Sequence, residues 1–245
     1  MEVSVVVLCR DNPAELAETL ASIPPAAGPS AVEVLVVDGS STNGCRQQLE
    51  AVRWPHPGPI LRWIPLEPRG VYHAMNQSLR LVRGQWLAFM NAGDVYEPAG
   101  LLRLLTHAKA LVQQRGVDRA VAVFAQAWVD PPPGSDFPWL TPDPATQHLH
   151  RWLRHMVPCH QSFLFAAPFA RLHPYDERGT PIADRAVMRS AIAQSGTACY
   201  LRFPVCRFRL GGLSSRAGAK AWFAPWPRLL PRLMRCRARW MGRIC

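Results

Sequence analysis

The chain has 245 residues, 49% of them apolar and 18% charged, the composition of a globular protein with its own core, in one large domain or two small ones. Its seven cysteines form no CxxC pair and follow no regular spacing, which argues for free thiols in a reducing compartment and against a disulfide frame or zinc site. No apolar run approaches the ~20 residues of a membrane span, and the first residues lack the basic start of a signal peptide. The net charge of +11 is concentrated at one end: Arg216–Cys245 holds eight of the 28 basic residues and none of the 17 acidic ones. The rest of the chain is nearly neutral, so the basicity belongs to a tail able to meet anionic lipid or nucleic acid.

In chain order, Val3–Leu8 is β-branched and apolar on both faces and reads as a buried parallel strand. Asn12, Pro13 and Glu15 form a capping-box pattern ahead of Leu16, Leu20 and Ile23 at helical spacing. Val32–Val37 is a second buried strand, ending at Asp38-Gly39-Ser40-Ser41, and Ile60–Leu66 a third. Gly70–Val82 reads as a helix with Val71, Ala74, Met75, Ser78, Leu79 and Val82 inward, stopped by Gly84. Gln85–Met90 is a further strand, Pro98–Gln114 a long helix, and Ala120–Phe124 another strand. The six prolines of Asp130–Pro144 predict a surface loop. This alternation predicts an α/β fold with a largely parallel sheet.

Three features lie at strand ends, where open α/β sheets bind ligands. They are Asp38-Gly39-Ser40-Ser41, Glu67-Pro68-Arg69-Gly70-Val71-Tyr72-His73-Ala74-Met75-Asn76, and Asn91-Ala92-Gly93-Asp94. Each alone is compatible with ordinary turn chemistry. In this order and spacing they resemble the GT-A fold family 2 glycosyltransferases, closest to the non-processive bacterial branch that builds exopolysaccharide, capsule or lipopolysaccharide. The resemblance continues through His155–Phe163, Ile182-Ala183-Asp184 and Phe208–Ser214, so it covers about residues 1–215.

The resemblance implies a GT-A-type, Rossmann-like, mostly parallel sheet with flanking helices. It implies one domain, 1–215, with a nucleotide-sugar-binding half at 1–128, an acceptor half at 145–215, and a basic tail at 216–245. It also implies an inverting transfer of sugar from a nucleotide-diphosphate donor to a glycan or lipid-linked acceptor. Asp38, Gly39, Ser40, Glu67, Arg69, Gly70, Asn76, Asn91, Ala92 and Gly93 would bind the sugar donor. Asp94 would hold Mg²⁺ or Mn²⁺ on the diphosphate, against the simpler reading of a turn cap. Asp184 would be the general base, against a helix N-cap. His160 or Gln161 would orient the acceptor or the departing phosphate, against a buried structural histidine. Adjacent residues on a strand face opposite ways, which disfavours Cys159 and His160 as a nucleophile pair.

The chain departs from the family pattern at several positions. No Asp precedes Gly70, so a carboxylate contact is absent or taken over by Glu67, or Arg69 contacts a phosphate instead. His73 stands where the family commonly has Asp, Asn91 replaces a first metal-motif Asp, and Ala186 replaces an acidic residue. These departures leave a catalytically degenerate binding module as the alternative. No QxxRW motif follows, which argues against a processive synthase. In the tail, tryptophans interleave with arginines as on an interfacial helix, or as on a basic end packed against the body. The expected location is cytoplasmic, peripheral at the inner face of the plasma membrane. Nucleic-acid binding is not expected, because it gives Asp38, Asp94 and Asp184 no role.

Overall fold

In the computed structural model, which describes residues 2–24, 32–53, 58–131, 137–141, 159–178, 183–195 and 199–210, the apolar runs of the N-terminal half become adjacent strands. Strands β1 (Val3–Cys9), β2 (Val32–Asp38), β3 (Ile60–Pro65) and β4 (Trp86–Asn91) stand in the order β3-β2-β1-β4, all parallel. β1 and β2 are buried along their whole length, as strands covered on both faces must be. The intervening helices are α1 (Pro13–Ser22), α2 (Cys45–Ala51) and α3 (Val71–Leu81).

The sheet continues with an extension built from later sequence. β4 pairs antiparallel with β8 (Phe163–Ala166), β8 with β6 (Ala122–Asp130), and β6 runs parallel to β9 (Tyr200–Arg209). Two-residue strands β5 (Val95–Tyr96) and β7 (Trp139–Leu140) add to β9 and β6. The parallel ladders each join six or seven residue pairs and the antiparallel ones two or three, so the sheet is mostly parallel, as expected. Helices α4 (Gly100–Arg115), α5 (Ala167–Leu172) and α6 (Ala183–Ser195) complete the described elements. These lie within one compact unit, Met1–Leu210. An aromatic group joins the two parts of the sheet: Phe124 stacks on Phe163 and Phe163 on Phe165 within the extension, and His160 lies between Phe165 and Phe89 of β4.

Several local expectations need correction. The capping box does not form: Asn12 Oδ1 accepts from Arg10 N–H at 3.0 Å, and α1 begins without a side-chain cap. Helix α3 ends at Leu81, with Val82 already extended, and Gly84 does a different job. A Cβ there would stand 2.4 Å from Ser4 N, so glycine allows the chain to press against β1. The strand expected at Ala120–Phe124 runs on to Asp130, and the proline-rich segment contributes β7 to its edge. Among the described residues no helix is long and apolar enough to cross a membrane. The basic tail lies outside the described residues.

One buried charge sits inside the parallel half. Glu33, on β2, is fully buried. Its carboxylate accepts from Ser4 Oγ on β1, from Arg62 on β3 and from Arg83 N–H after α3. Burial pushes its pKa up, but the hydrogen bonds from Ser4, Arg62 and Arg83 outweigh that and hold it below the usual value.

Candidate active site

The parallel register brings the carboxyl ends of β1, β2 and β4 to one rim: Cys9 pairs with Asp38, and Leu8 with Asn91. β4 lies on the opposite side of β1 from β2, so the order reverses beside β1, where such sheets open a ligand crevice.

The first loop is rigidly built. Asp38 is 2% exposed; its Oδ1 accepts from Ser41 N–H at 3.0 Å and from the Ser41 hydroxyl, and Trp63 Nε1 approaches its Oδ2 at 3.4 Å. Ser40 takes a left-handed backbone at φ 58° and donates its hydroxyl to Leu66 O. Gly39 fits closely over Arg10, whose side chain would lie 3.3 Å from an added Cβ. Asp11 ties the facing loop to this one: its Oδ1 accepts from Thr42 N–H at 2.9 Å, and Asn43 Nδ2 donates to its carbonyl at 2.8 Å. Beneath Asp38, burial first and the Asp38 charge second push the Cys9 thiol far up. Sequence reasoning missed Trp63 and Arg46, whose guanidinium lies 5.1 Å over the Trp63 ring. The available signal was a tryptophan in the strand next to the one ending at Asp38.

In the second motif, Arg69 Nε and Nη2 both donate to Glu67 Oε2, at 3.0 and 2.7 Å, on the surface. The two departures from the family pattern thus neutralise each other. Gly70, at φ 107°, takes a backbone that side chains rarely adopt and opens α3. Asn76 is held by the segment around Tyr175. Its Oδ1 accepts from Tyr175 N–H at 2.8 Å, and its Nδ2 donates to Tyr175 O at 2.9 Å and Glu177 Oε1 at 2.7 Å. His73 Nδ1 meets Glu177 Oε2 at 2.9 Å. Helix α3 is therefore clipped to the segment that follows α5.

That clip orders an aromatic cluster. Tyr175 stacks on Tyr72 with centroids 5.7 Å apart, and its hydroxyl meets His160 Nε2 at 2.9 Å. His160 is 7% exposed and stacked on Phe89; burial lowers its pKa, with the Asp184 charge opposing, so it is neutral. Asp184 is half-buried within the first turn of α6 and accepts from Tyr72 O–H at 3.3 Å. Burial and then the Asp184 charge push the Tyr72 hydroxyl up to about 12. Tyr72 carried no signal in the sequence beyond helical spacing, and Tyr175 carried none.

The third motif forms a tight turn. Ala92 N–H donates to Leu8 O at 2.9 Å; Gly93, at φ 104°, donates to Thr19 Oγ1 at 2.9 Å. Asp94 is 3% exposed. Its Oδ1 accepts from Arg209 N–H at 3.0 Å, its Oδ2 from Gln161 Nε2 at 2.7 Å and from Asn91 Nδ2 at 3.4 Å. Burial raises its pKa to about 7 against those hydrogen bonds. A hard cation needs carboxylate lone pairs open toward a space its phosphate ligands can enter. Three of the roughly four acceptor positions of Asp94 are filled and the residue is 3% exposed, and no group of three or more His, Cys, Asp or Glu gathers for a metal among the described residues. The residues present therefore do not fit a preformed cation site.

An open parallel sheet with side-chain-bearing loops at one rim and an antiparallel extension beyond β4 is the GT-A architecture. Comparison with known proteins agrees. The profile of glycosyl transferase family 2 matches residues 4–171, and the chain belongs to that family. It is 31% identical over 106 residues to the succinoglycan biosynthesis protein ExoO of Rhizobium meliloti (strain 1021), covering 39% of this chain and 29% of that protein. Its fold is similar to that of S. aureus TarS 1-349 in complex with UDP-GlcNAc, with TM-score 0.66, 17% identity, and 88% and 61% of the two chains covered. It is similar also to the mannosyltransferase PcManGT of Pyrobaculum calidifontis in complex with GDP-Man and Mn²⁺, with TM-score 0.59, 19% identity, and 90% and 59% covered. The chain thus spans under a third of the curated relative and about three fifths of these solved chains.

Proposed function

We propose that this chain moves a sugar from a nucleotide-diphosphate donor to a glycan or lipid-linked acceptor in cell-surface polysaccharide synthesis, with inversion at the anomeric carbon. The observation that carries the reading is the convergence, on one α/β rim, of the Asp38 loop, the 91–94 turn and the α3 segment. Asp38 and Ser40 would hold the nucleoside, with Trp63 alongside; Gly39, Gly70, Ala92 and Gly93 would let backbone approach it. Glu67, Arg69, Asn91 and the clipped Asn76 would border the sugar and diphosphate.

Asp184 is the proposed base. It would take the proton of the acceptor hydroxyl as that oxygen attacks the anomeric carbon opposite the departing diphosphate. Tyr72 O–H donates to its Oδ1 at 3.3 Å, and Oδ2 would take the proton. His160, neutral and bound to Tyr175, would act by fixing this wall of the site. Mg²⁺ or Mn²⁺ would accompany the sugar donor and neutralise charge on its diphosphate. The basic tail supports a peripheral position on anionic membrane through its sequence alone.

A panel of UDP-, GDP- and dTDP-sugars with Mn²⁺ or Mg²⁺ and lipid-linked saccharide acceptors tests the reading. Transfer should appear with one donor, and Asp184→Asn should abolish transfer while leaving sugar-donor binding intact. No thermal shift, hydrolysis or transfer across the panel would sink it. Binding without transfer, indifferent to Asp184→Asn, would favour a degenerate binding module, which the lack of a preformed cation cluster among the described residues also suits.

A further inference from the structure

Asp94 is the carboxylate that the sequence offers to a cation, yet its surroundings suit another task. Its two oxygens take hydrogen bonds from three segments: Asn91 in its own turn, Gln161 in the 160–162 turn before β8, and Arg209 at the end of β9. Gln161 cannot turn its amide over freely, because its Oε1 accepts from Cys159 Sγ at 2.8 Å while its Nε2 donates to Asp94. The backbone of Asp94 is held too: its carbonyl accepts from Thr19 Oγ1 at 2.8 Å. Arg209 reaches on to Glu18 of α1 at 2.6 Å, so the chain of contacts crosses from the 160–162 turn to α1. A cation on Oδ2 would displace a buried N–H and leave it without a partner, and Oδ1, bound to Arg209 N–H, sits on a residue only 3% exposed.

We propose that Asp94 is a latch and not a metal ligand: it fastens the turn after β4 to Gln161 and to the end of β9, closing the antiparallel extension onto the parallel half. Any cation then arrives on the sugar donor's diphosphate and forms no bond to this carboxylate. The inference stands on hydrogen bonding and burial, and does not depend on which reaction the chain catalyses.

Two variants separate the roles. Asp94→Asn removes the carboxylate charge; Gln161→Met keeps that charge and removes one arm of the latch. Amide hydrogen exchange reads the latch, and electron paramagnetic resonance of Mn²⁺ with UDP, GDP or dTDP reads cation binding. The latch predicts that exchange at Arg209 and its neighbours quickens about tenfold or more in both variants. Any weakening of Mn²⁺–nucleotide binding should then be of similar size in both. Unchanged exchange in both would overturn the proposal. So would a loss of Mn²⁺–nucleotide binding of about tenfold or more in Asp94→Asn with none in Gln161→Met, since that is the mark of a direct bond. If the wild type binds no Mn²⁺–nucleotide, the sugar-transfer reading fails, and the latch is decided by exchange alone.

Discussion

Removing Glu33 should unfasten the parallel half of the sheet, and the structure sets the size of the effect. Its carboxylate is fully buried and joins Ser4, Arg62 and Arg83, so β1, β2, β3 and the chain after α3 meet on one group. Taking one partner from a buried ion pair costs about 3–5 kcal/mol, because the other charge is left without compensation. Arg62 keeps 21% side-chain exposure and a second acceptor at Leu81 O, which places Glu33→Ala near the low end, about 3 kcal/mol. For a chain of this length that is a fall in Tm of roughly 6–12 °C. Glu33→Gln, which still accepts from Ser4, should lose about half as much. The pH dependence has a definite sign. Glu33 titrates below its ordinary 4.5, so its contribution is complete above that pH and fades as pH falls through the lowered value. Calorimetric melts from pH 3.5 to 7.5 measure both quantities. A Glu33→Ala Tm within about 2 °C of wild type at pH 7, or a gap that widens in acid, would refute the reasoning.

Gly84→Ala should lower stability by about 2 kcal/mol or more, since the new Cβ meets backbone atoms of Val3 and Ser4 at 2.6 and 2.4 Å; an unaltered denaturant midpoint would count against the close approach. Asn76→Ala should loosen the 173–178 segment, because Tyr175 N–H loses its acceptor and Glu177 one of its hydrogen-bond partners. Faster exchange confined to that segment, with a global loss of about 1–3 kcal/mol, is the expected pattern. His160 should titrate below the ordinary 6.5 in a histidine-resolved NMR titration. Its lowered pKa means the folded state is favoured above 6.5 and weakened as pH falls, and titration at the ordinary value would contradict its burial against Tyr175.

What could be read from the sequence was local. β1, β2 and β4 announce themselves because strands covered on both faces must be apolar throughout. Glu33 hid within such a run, since its partners Arg62 and Arg83 lie 29 and 50 residues away. β9 was not recognisable: Pro204 interrupts it, arginines stud its exposed side, and its register against β6 slips at Gln126. The rim motifs pointed to the strand ends as a candidate site. The side chains that decide its chemistry did not follow from them, because Asp94 meets Gln161 and Arg209 across 67 and 115 residues, and Asn76 meets Tyr175 across 99. Spacing patterns carry no information about such long-range pairings.

The placement of β5 has a consequence for synthesis. Val95 and Tyr96 lie directly after the parallel half, yet their partners are Arg207 and Cys206, and Gly100 packs against Val205 at the start of α4. β1 to β4 can assemble as soon as residue 91 has left the ribosome, whereas the next strand waits for more than a hundred further residues before its edge is covered. During that interval the nascent chain shows an unpaired strand and the uncovered end of a helix, the kind of surface that chaperones hold. Pulse-labelling of stalled chains should find β1–β4 protected early and β5 only after β9 emerges.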